Sequence, residues 1–408
     1  MKRFWAMALT GALCLGLLGG CSAEDTSTGG TGATGGSESA SGGEEGTNES
    51  GGEIVVGLIA NTSGSAAQYG IAVSNGANFY FDEINAAGGI NGKTISVKQY
   101  DDKGDPQEIP MLFDRLVGDG ATAIVGSVLT GATLVLADAT YAANMPQITA
   151  SATSPAVTVM DDTGEVRTNV FRSCFTDAFQ GVKMAEYAMD KLGATTAAVI
   201  YDNGDDYASG LKDAFVAQCE ILGITVVASE GYATGDVAFQ SQLTTIAGQS
   251  PDVIFAPNYY SDVGLIVTQA RQLGIESTFL GGDGWAGVKN YASAEDLEGS
   301  AFCSGFSGDA DFEANMKAKY GDDIEIGMFE ALGYDAALIL VEALIVAEEA
   351  GLETGSDAYK EAVIAAMSAT SGLEGLTGSF EFDENNDPIK TASIMVVTGG
   401  EEVFTEQY

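Results

Sequence analysis

The sequence contains no histidine, only seven prolines, and 17 basic residues against 58 acidic ones. The missing imidazole removes His-based nucleophile activation, His-ligated zinc and imidazole acid–base chemistry together. Five cysteines are present, Cys14, Cys21, Cys174, Cys219 and Cys303, and none forms a C-x-x-C pair. That spacing argues against a zinc cluster and a redox dithiol. Three of the five fall in the part expected to fold, an odd number, so at least one is free; each reads as a small buried hydrophobe. Positive charge is scarce enough to give a formal net charge of −41. Such a surface repels nucleic acid phosphates and anionic lipid, so neither is an expected partner. No G-x-G-x-x-G follows a strand pattern, so the dinucleotide fingerprint is absent too.

At 408 residues and 45% hydrophobic content the chain has enough apolar side chains for two domains. It opens on MKRFWAMALTGALCLGLLGGC, with Lys2 and Arg3 before an apolar stretch that ends at Leu18. This reads as a secretory signal over residues 1–20, too short for a transmembrane span. The ending LGGC resembles the bacterial lipobox, which implies lipidation of Cys21; Cys14 is a poor rival because Leu13 occupies a place that needs a small residue. Residues 21–52 hold no aromatic or large aliphatic side chain and read as a disordered tether. A linker of this length reaches roughly 30 Å. The chain is thus expected to be extracytoplasmic and anchored through its lipid alone.

From Glu53 short β-rich runs alternate with helical patterns. IVVGLI (54–59), TISVKQY (94–100), TAIVG (122–126) and QIT (147–149) read as buried strands with amphipathic helices between them. The rhythm restarts with TAAVIYD (196–202), ITVVASEGY (224–232), DVIFAP (252–257) and STFLGG (277–282). Two longer helical stretches follow at 329–350 and 358–369, then SFEFD and ASIMVVTGG, which read as strands. The predicted fold is α/β, two doubly wound Rossmann-like lobes with a cleft between them. The expected division is 53–172 plus 307–383 for the first lobe and 173–306 plus 384–408 for the second.

In open α/β sheets ligands sit beyond the carboxyl ends of the strands, near helix N-termini. The loops at that end read ANTSGSAAQYG, GSVLTGAT, TASATSP, YDNGDDYASG, APNYYSD and GGDGWAG. All are rich in Gly, Ser, Thr, Tyr or Asp, a mixture suited to a small polar ligand. TASATSP in particular lacks any large side chain, so a ligand can approach its backbone.

The strings AQYG (67–70), DEINAAGGINGK (82–93), YDDKGDP (100–106), ITASATSP (148–155) and FLGGDG (279–284) resemble the leucine/isoleucine/valine-binding proteins, soluble receptors of ABC amino-acid importers. The resemblance runs from Ile54 to about Thr398. It implies the type I periplasmic binding fold, with three crossover strands near 172–175, 302–306 and 382–389, and capture of an amino acid by hinge closure. Thr130 and Thr153 match hydroxyls that meet the ligand carboxylate. Ser151 stands where a backbone carbonyl accepts from the ammonium, and its side chain replaces an alanine. Tyr69, Tyr207 and Tyr259 match cleft tyrosines. Asp283 occupies the position of an acidic residue, usually glutamate, that faces the ammonium. The family's disulfide positions are Gly104 and Leu129 here, so that bridge is absent, and Trp285 has no aliphatic counterpart. The division of labour is chemically sensible, because a zwitterion leaving water needs donors at its carboxylate and acceptors with one anion at its ammonium.

Simpler readings exist for several of these residues. Asp283 would suit a turn in GGDGW, Thr130 a helix start, Trp285 a packing role, and Cys174 a buried place at the hinge. Ser209 and Lys212 form an S-x-x-K without the partner motifs of a serine acylase. Asp383, Asn385 and Asp387 begin like a calcium loop, but Pro388 sits where glycine is required. The expected protein is therefore not an enzyme and needs no cofactor or metal. It is a monomeric binding protein for an amino acid, branched-chain or otherwise aliphatic, that works with ABC permease and ATPase subunits. A sensory receptor of the same fold, or a binder of another small polar molecule such as an amide, is the alternative.

Overall fold

The computed structural model describes residues 52–408; the expected signal, Cys21 and nearly all of the tether lie outside the described residues. Five short strands, β1 (Glu53–Ala60), β2 (Thr94–Asp101), β3 (Ala123–Val125), β4 (Gln147–Thr149) and β5 (Val170–Arg172), form a parallel sheet in the order β2-β1-β3-β4-β5. Its central strands β3 and β4 are buried on both faces because helices cover both. Those helices are α1 (Ala67–Ala86), α2 (Ile109–Gly118) and α3 (Thr130–Ala142).

The second sheet contains β6 (Thr196–Asp202), β7 (Thr225–Tyr232), β8 (Val253–Phe255), β9 (Thr278–Gly281) and β10 (Ala301–Ser304), all parallel. The sheet is flanked by α4 (Asp177–Asp190), α5 (Asp206–Leu222), α6 (Gln240–Gln249) and α7 (Tyr260–Gln272), and a short α8 (Ala294–Leu297) precedes β10. After β10 come α9 (Ala310–Tyr320), α10 (Met328–Glu349), α11 (Asp357–Ser368) and a hairpin of β11 (Ser371–Gly375) and β12 (Gly378–Glu381). The chain then adds β13 (Ser393–Thr398) and β14 (Glu401–Gln407) antiparallel at the edge of the second sheet, giving β14-β13-β10-β9-β8-β6-β7.

The chain therefore crosses between the sheets three times. It passes after β5, returns after β10 so that α10 lies along α1, and crosses again before β13. The long late helix packs back on the first sheet's side, as the lack of intervening strands predicts. Close approach of α1 and α10 is possible because each helix sets a glycine against the other's backbone. A Cβ on Gly76 would lie 1.9 Å from the Glu330 carbonyl oxygen, and one on Gly333 would lie 2.2 Å from that of Val73. Four elements are missing from the sequence reading, namely the short α8, and α9, β11 and β14. α9 is ADFEANMKAKY and β14 is EEVFTEQ. Both are largely exposed and strongly charged, so neither shows a continuous apolar stripe.

Candidate functional site

Each cleft residue is delivered by the chain just past the carboxyl end of a strand. Tyr69 follows β1 on the first turn of α1, Thr130 follows β3 as the first residue of α3, and Ser151 follows β4. From the other sheet, Tyr207 follows β6 on α5, Tyr259 caps α7 after β8, and Asp283 follows β9. These six side chains meet around one cavity, together with Val128, Leu129, Gly284 and Phe329. The enclosed space is about 20 Å³, little more than one water molecule needs. The lobes are held shut above it. The Tyr69 hydroxyl donates to the Gly284 carbonyl at 2.5 Å and accepts from the Tyr260 amide at 3.2 Å. Beside it, the Gln68 amide donates to the Tyr260 hydroxyl and Gln68 Nε2 to that of Tyr291.

Among the described residues Asp283 is the only carboxylic acid on the cavity wall, and no lysine or arginine lines it. Its position is fixed from two helices. Gln180 of α4 donates to Oδ1 at 3.1 Å and accepts from the Asp283 amide at 2.8 Å. Tyr207 donates to the same Oδ1 at 2.9 Å while accepting from the Gly284 amide at 3.0 Å. Both side-chain donors converge on Oδ1, leaving Oδ2 without a side-chain donor. Burial pushes the Asp283 carboxyl up to about 6, against the opposing pull of those two donors. Tyr207 is itself set by Asp205, the N-cap of α5, whose Oδ1 accepts from the Tyr207 amide at 2.8 Å. The Tyr207 and Tyr259 rings stack at 5.1 Å, and Phe329 lies 4.3 Å from Tyr69. The anion thus shares the cavity wall with four aromatic rings, an environment that favours a cation. At the other end Thr130 opens a 13-residue helix, where free amides and the helix dipole favour an anion.

Ser151 lines the cavity, but its hydroxyl is already used, donating to the Val128 carbonyl at 2.9 Å. That contact ties the loop after β4 to the loop after β3. Thr153 is fully buried and off the cavity surface. Its carbonyl accepts from the Asp177 amide at 2.9 Å, and its hydroxyl neighbours the Asp177 carboxyl without a well-formed hydrogen bond. Asp177 is buried with neither oxygen bonded, and burial raises its pKa well above the usual carboxylate range. Trp285 is also off the cavity. Its indole N–H donates to the Ala256 carbonyl at 2.8 Å, and the ring lies over Gly281, whose missing side chain makes the room. It is a packing residue on the strand side of the loop. Phe329 was not legible as a wall residue, because it comes from the start of α10, some 46 positions beyond Asp283.

Arg172, at the end of β5, is fully buried and links the site to the crossings. Its guanidinium donates to the carbonyls of Ala152 at 2.8 Å and Ser154 at 2.9 Å and pairs with Asp387 at 2.7 Å. Asp387 belongs to the third crossing, so the loop after β4 is braced from behind by two crossing segments. The turn at Asp383 closes on itself, its Oδ1 accepting from the amides of Asn385 and Asp387. Lys212 pairs with its neighbour Asp213 rather than with Ser209. Cys174, Cys219 and Cys303 are buried free thiols, and burial pushes Cys174 and Cys219 up to about 12. Leu129 leans toward Gly104, its Cδ1 3.0 Å from where a Cβ there would sit. The two positions that the resemblance assigns to a bridge are thus neighbours in space.

The sequence profile described as "Periplasmic binding protein" matches residues 53–401. The chain belongs to this family. The Leu/Ile/Val-binding protein BraC3 of Rhizobium johnstonii is 31% identical over 340 residues, covering 82% of this chain and 89% of that one. Among solved structures, the branched-chain amino acid transporter substrate-binding protein LivJ of Streptococcus pneumoniae, in complex with isoleucine, is 32% identical. The match has a TM-score of 0.77 and covers 86% of this chain and 99% of that chain. The leucine-binding protein LivK of Thermotoga maritima is 28% identical with a TM-score of 0.78, covering 87% and 98%. The protein is a type I periplasmic binding protein of the branched-chain amino-acid-binding family, a solute receptor and not an enzyme. Such receptors work outside the cytoplasm as the substrate-binding components of ABC transporters.

Proposed function

We propose that this periplasmic binding protein captures an α-amino acid with an aliphatic side chain and delivers it to an ABC permease while tethered through a lipid on Cys21. One observation carries the reading: a single buried carboxylate, Asp283, faces an aromatic-walled cavity that contains no cation. A buried anion of this kind is costly until a cation meets it. An ammonium group supplies that cation through Oδ2, with the rings of Tyr207 and Tyr259 beside it. The ligand carboxylate sits at the start of α3, met by the Thr130 hydroxyl and free amides. The carbonyl of Ser151 accepts from the ammonium, and Thr153 serves from the layer behind. Val128, Leu129 and Phe329 then form the apolar end for the side chain. Trp285 takes no part in contact.

Entry requires the lobes to part, since the Tyr69 hydroxyl bridges them across the cleft. On closure Tyr69 spans from α1 to Gly284 and Tyr260 and seals the cleft from water. The sequence relatives named for leucine, isoleucine and valine binding support an aliphatic ligand. The test is calorimetric titration of the purified protein with each proteinogenic amino acid and with small amides. Saturable binding of leucine, isoleucine or valine, lost in Asp283→Ala, is the expected result. Binding of an uncharged amide with no response to Asp283→Ala would overturn the assignment.

A further inference from the structure

A second chamber, of about 620 Å³, lies between the lobes. Tyr69 and Phe329 line both spaces and form the partition between them. A chamber of that size falls in the range that buries a drug-sized molecule. One wall comes from α1, at Ile71 and Ala72; the opposite wall comes from the second sheet, at Phe302, Met395 and Phe404. Apolar side chains thus face the space from both lobes.

The charges around the chamber are mostly of one sign. Glu313, Asp323, Glu325, Glu330 and Glu402 line it, against the single cation Lys289. Lys289 is already matched, pairing with Glu401 at 2.9 Å and lying 3.8 Å from Glu325. Glu330 is the buried member. Its Oε2 accepts from the Gly327 amide at 2.9 Å, and no side chain donates to the carboxyl. Burial pushes it up to about 7, with Glu325 adding to the shift. An anionic guest is disfavoured here, and an uncharged one leaves Glu330 without a counter-charge beyond the Gly327 amide it already accepts from.

We propose that this chamber is a second binding site, distinct from the amino-acid cavity, for an amphipathic organic cation. The guest lays its apolar body against Phe302, Met395 and Phe404 and its cationic head toward Glu330. Because both lobes supply wall residues, such a guest binds the closed arrangement and stabilises it.

The test uses phenethylammonium as probe, with phenethyl alcohol and phenylacetate as its neutral and anionic counterparts, measured by calorimetry near pH ~8, where Glu330 is charged. Phenethylammonium is expected to bind saturably, and the two counterparts at least about tenfold more weakly. Glu330→Gln keeps the amide contact and removes the charge, so it should weaken the probe by about tenfold. Ile71→Lys, at an exposed position on the chamber rim, should weaken it similarly while leaving the melting temperature and amino-acid binding unchanged. Asp283→Asn should leave probe binding intact, whatever it does to amino acids. The proposal fails if no saturable binding appears, if the alcohol or the acid binds as well, or if Ile71→Lys and Glu330→Gln have no effect. It also fails if Asp283→Asn abolishes probe binding, which would put the probe in the first cavity.

Discussion

Asp283 concentrates the chemistry of the site in one carboxyl group. Its pKa in the empty protein, about 6, lies above the ordinary 3.8. The folded state therefore holds this proton more tightly than the unfolded state does. No cost arises below the unfolded value; stability falls as pH rises between the two values, and the full cost persists above them. Asparagine cannot ionise and keeps an oxygen for Tyr207 and Gln180. At neutral pH, Asp283→Asn should thus stabilise the ligand-free protein by about 1–3 kcal/mol in chemical denaturation while weakening amino-acid binding by about 2–5 kcal/mol. A variant less stable than the parent without ligand would contradict this account of the burial cost. Affinity follows the same titration with the opposite sense. It should fall by up to about tenfold per unit as pH drops below the Asp283 value and level off above it. Titrations giving one constant across that window would show that the charge is not used. Six of the eight site residues read from sequence line the cavity, because each closes a strand-to-helix loop whose end the topology fixes. Thr153 and Trp285 share those loops but point elsewhere, and only packing against Asp177 and Gly281 decides that. The Ser151 hydroxyl was equally unreadable, since its acceptor, Val128, lies on a different loop.

At the scale of elements, two contacts hold the frame that presents these loops. The first is Arg172 with Asp387, a buried pair between crossing segments. Removing one partner leaves a buried charge unmatched, so Arg172→Met should cost about 3–5 kcal/mol. Combining it with Asp387→Leu should return part of that loss, and a double-mutant cycle measures how much. A fully additive pair of losses would mean that the two side chains act independently. The second is the glycine contact between α1 and α10. Gly333→Ala places a methyl against the Val73 carbonyl and should destabilise by about 1–3 kcal/mol, read as a lowered denaturation midpoint at unchanged slope. Helices with an apolar stripe, such as α2 with Ile109, Leu112, Phe113 and Leu116 inward, were legible from spacing alone. The charged α9 and the edge strand β14 were not, because their order depends on neighbours rather than on their own pattern. The pairing of β13 with β14 shifts register between Ile394 and Met395, a further feature without a local signature.

Across the whole molecule, two lobes whose parallel strands follow the same order share one cleft, and closure of that cleft is what the proposed capture depends on. The closed arrangement is sealed by Tyr69, whose hydroxyl bonds Gly284 and Tyr260 across the cleft. Tyr69→Phe removes both bonds and keeps the ring, so it should raise the dissociation rate by about tenfold with little change in association rate, checked by stopped-flow fluorescence. Equal changes in both rates would show that Tyr69 does not act at closure. The two-lobed plan was legible because the βα rhythm stops and restarts. The partition formed by Tyr69 and Phe329 was not, because it joins residues from opposite ends of the chain. The central claim, a zwitterionic amino acid held by Asp283, is most directly tested by calorimetric titration of the parent and Asp283→Asn proteins with leucine, isoleucine and valine at neutral pH. The account predicts saturable one-site binding to the parent and loss of at least about 2 kcal/mol of it in the variant. Equal affinity in both proteins, or no binding of any amino acid to the parent, would contradict it.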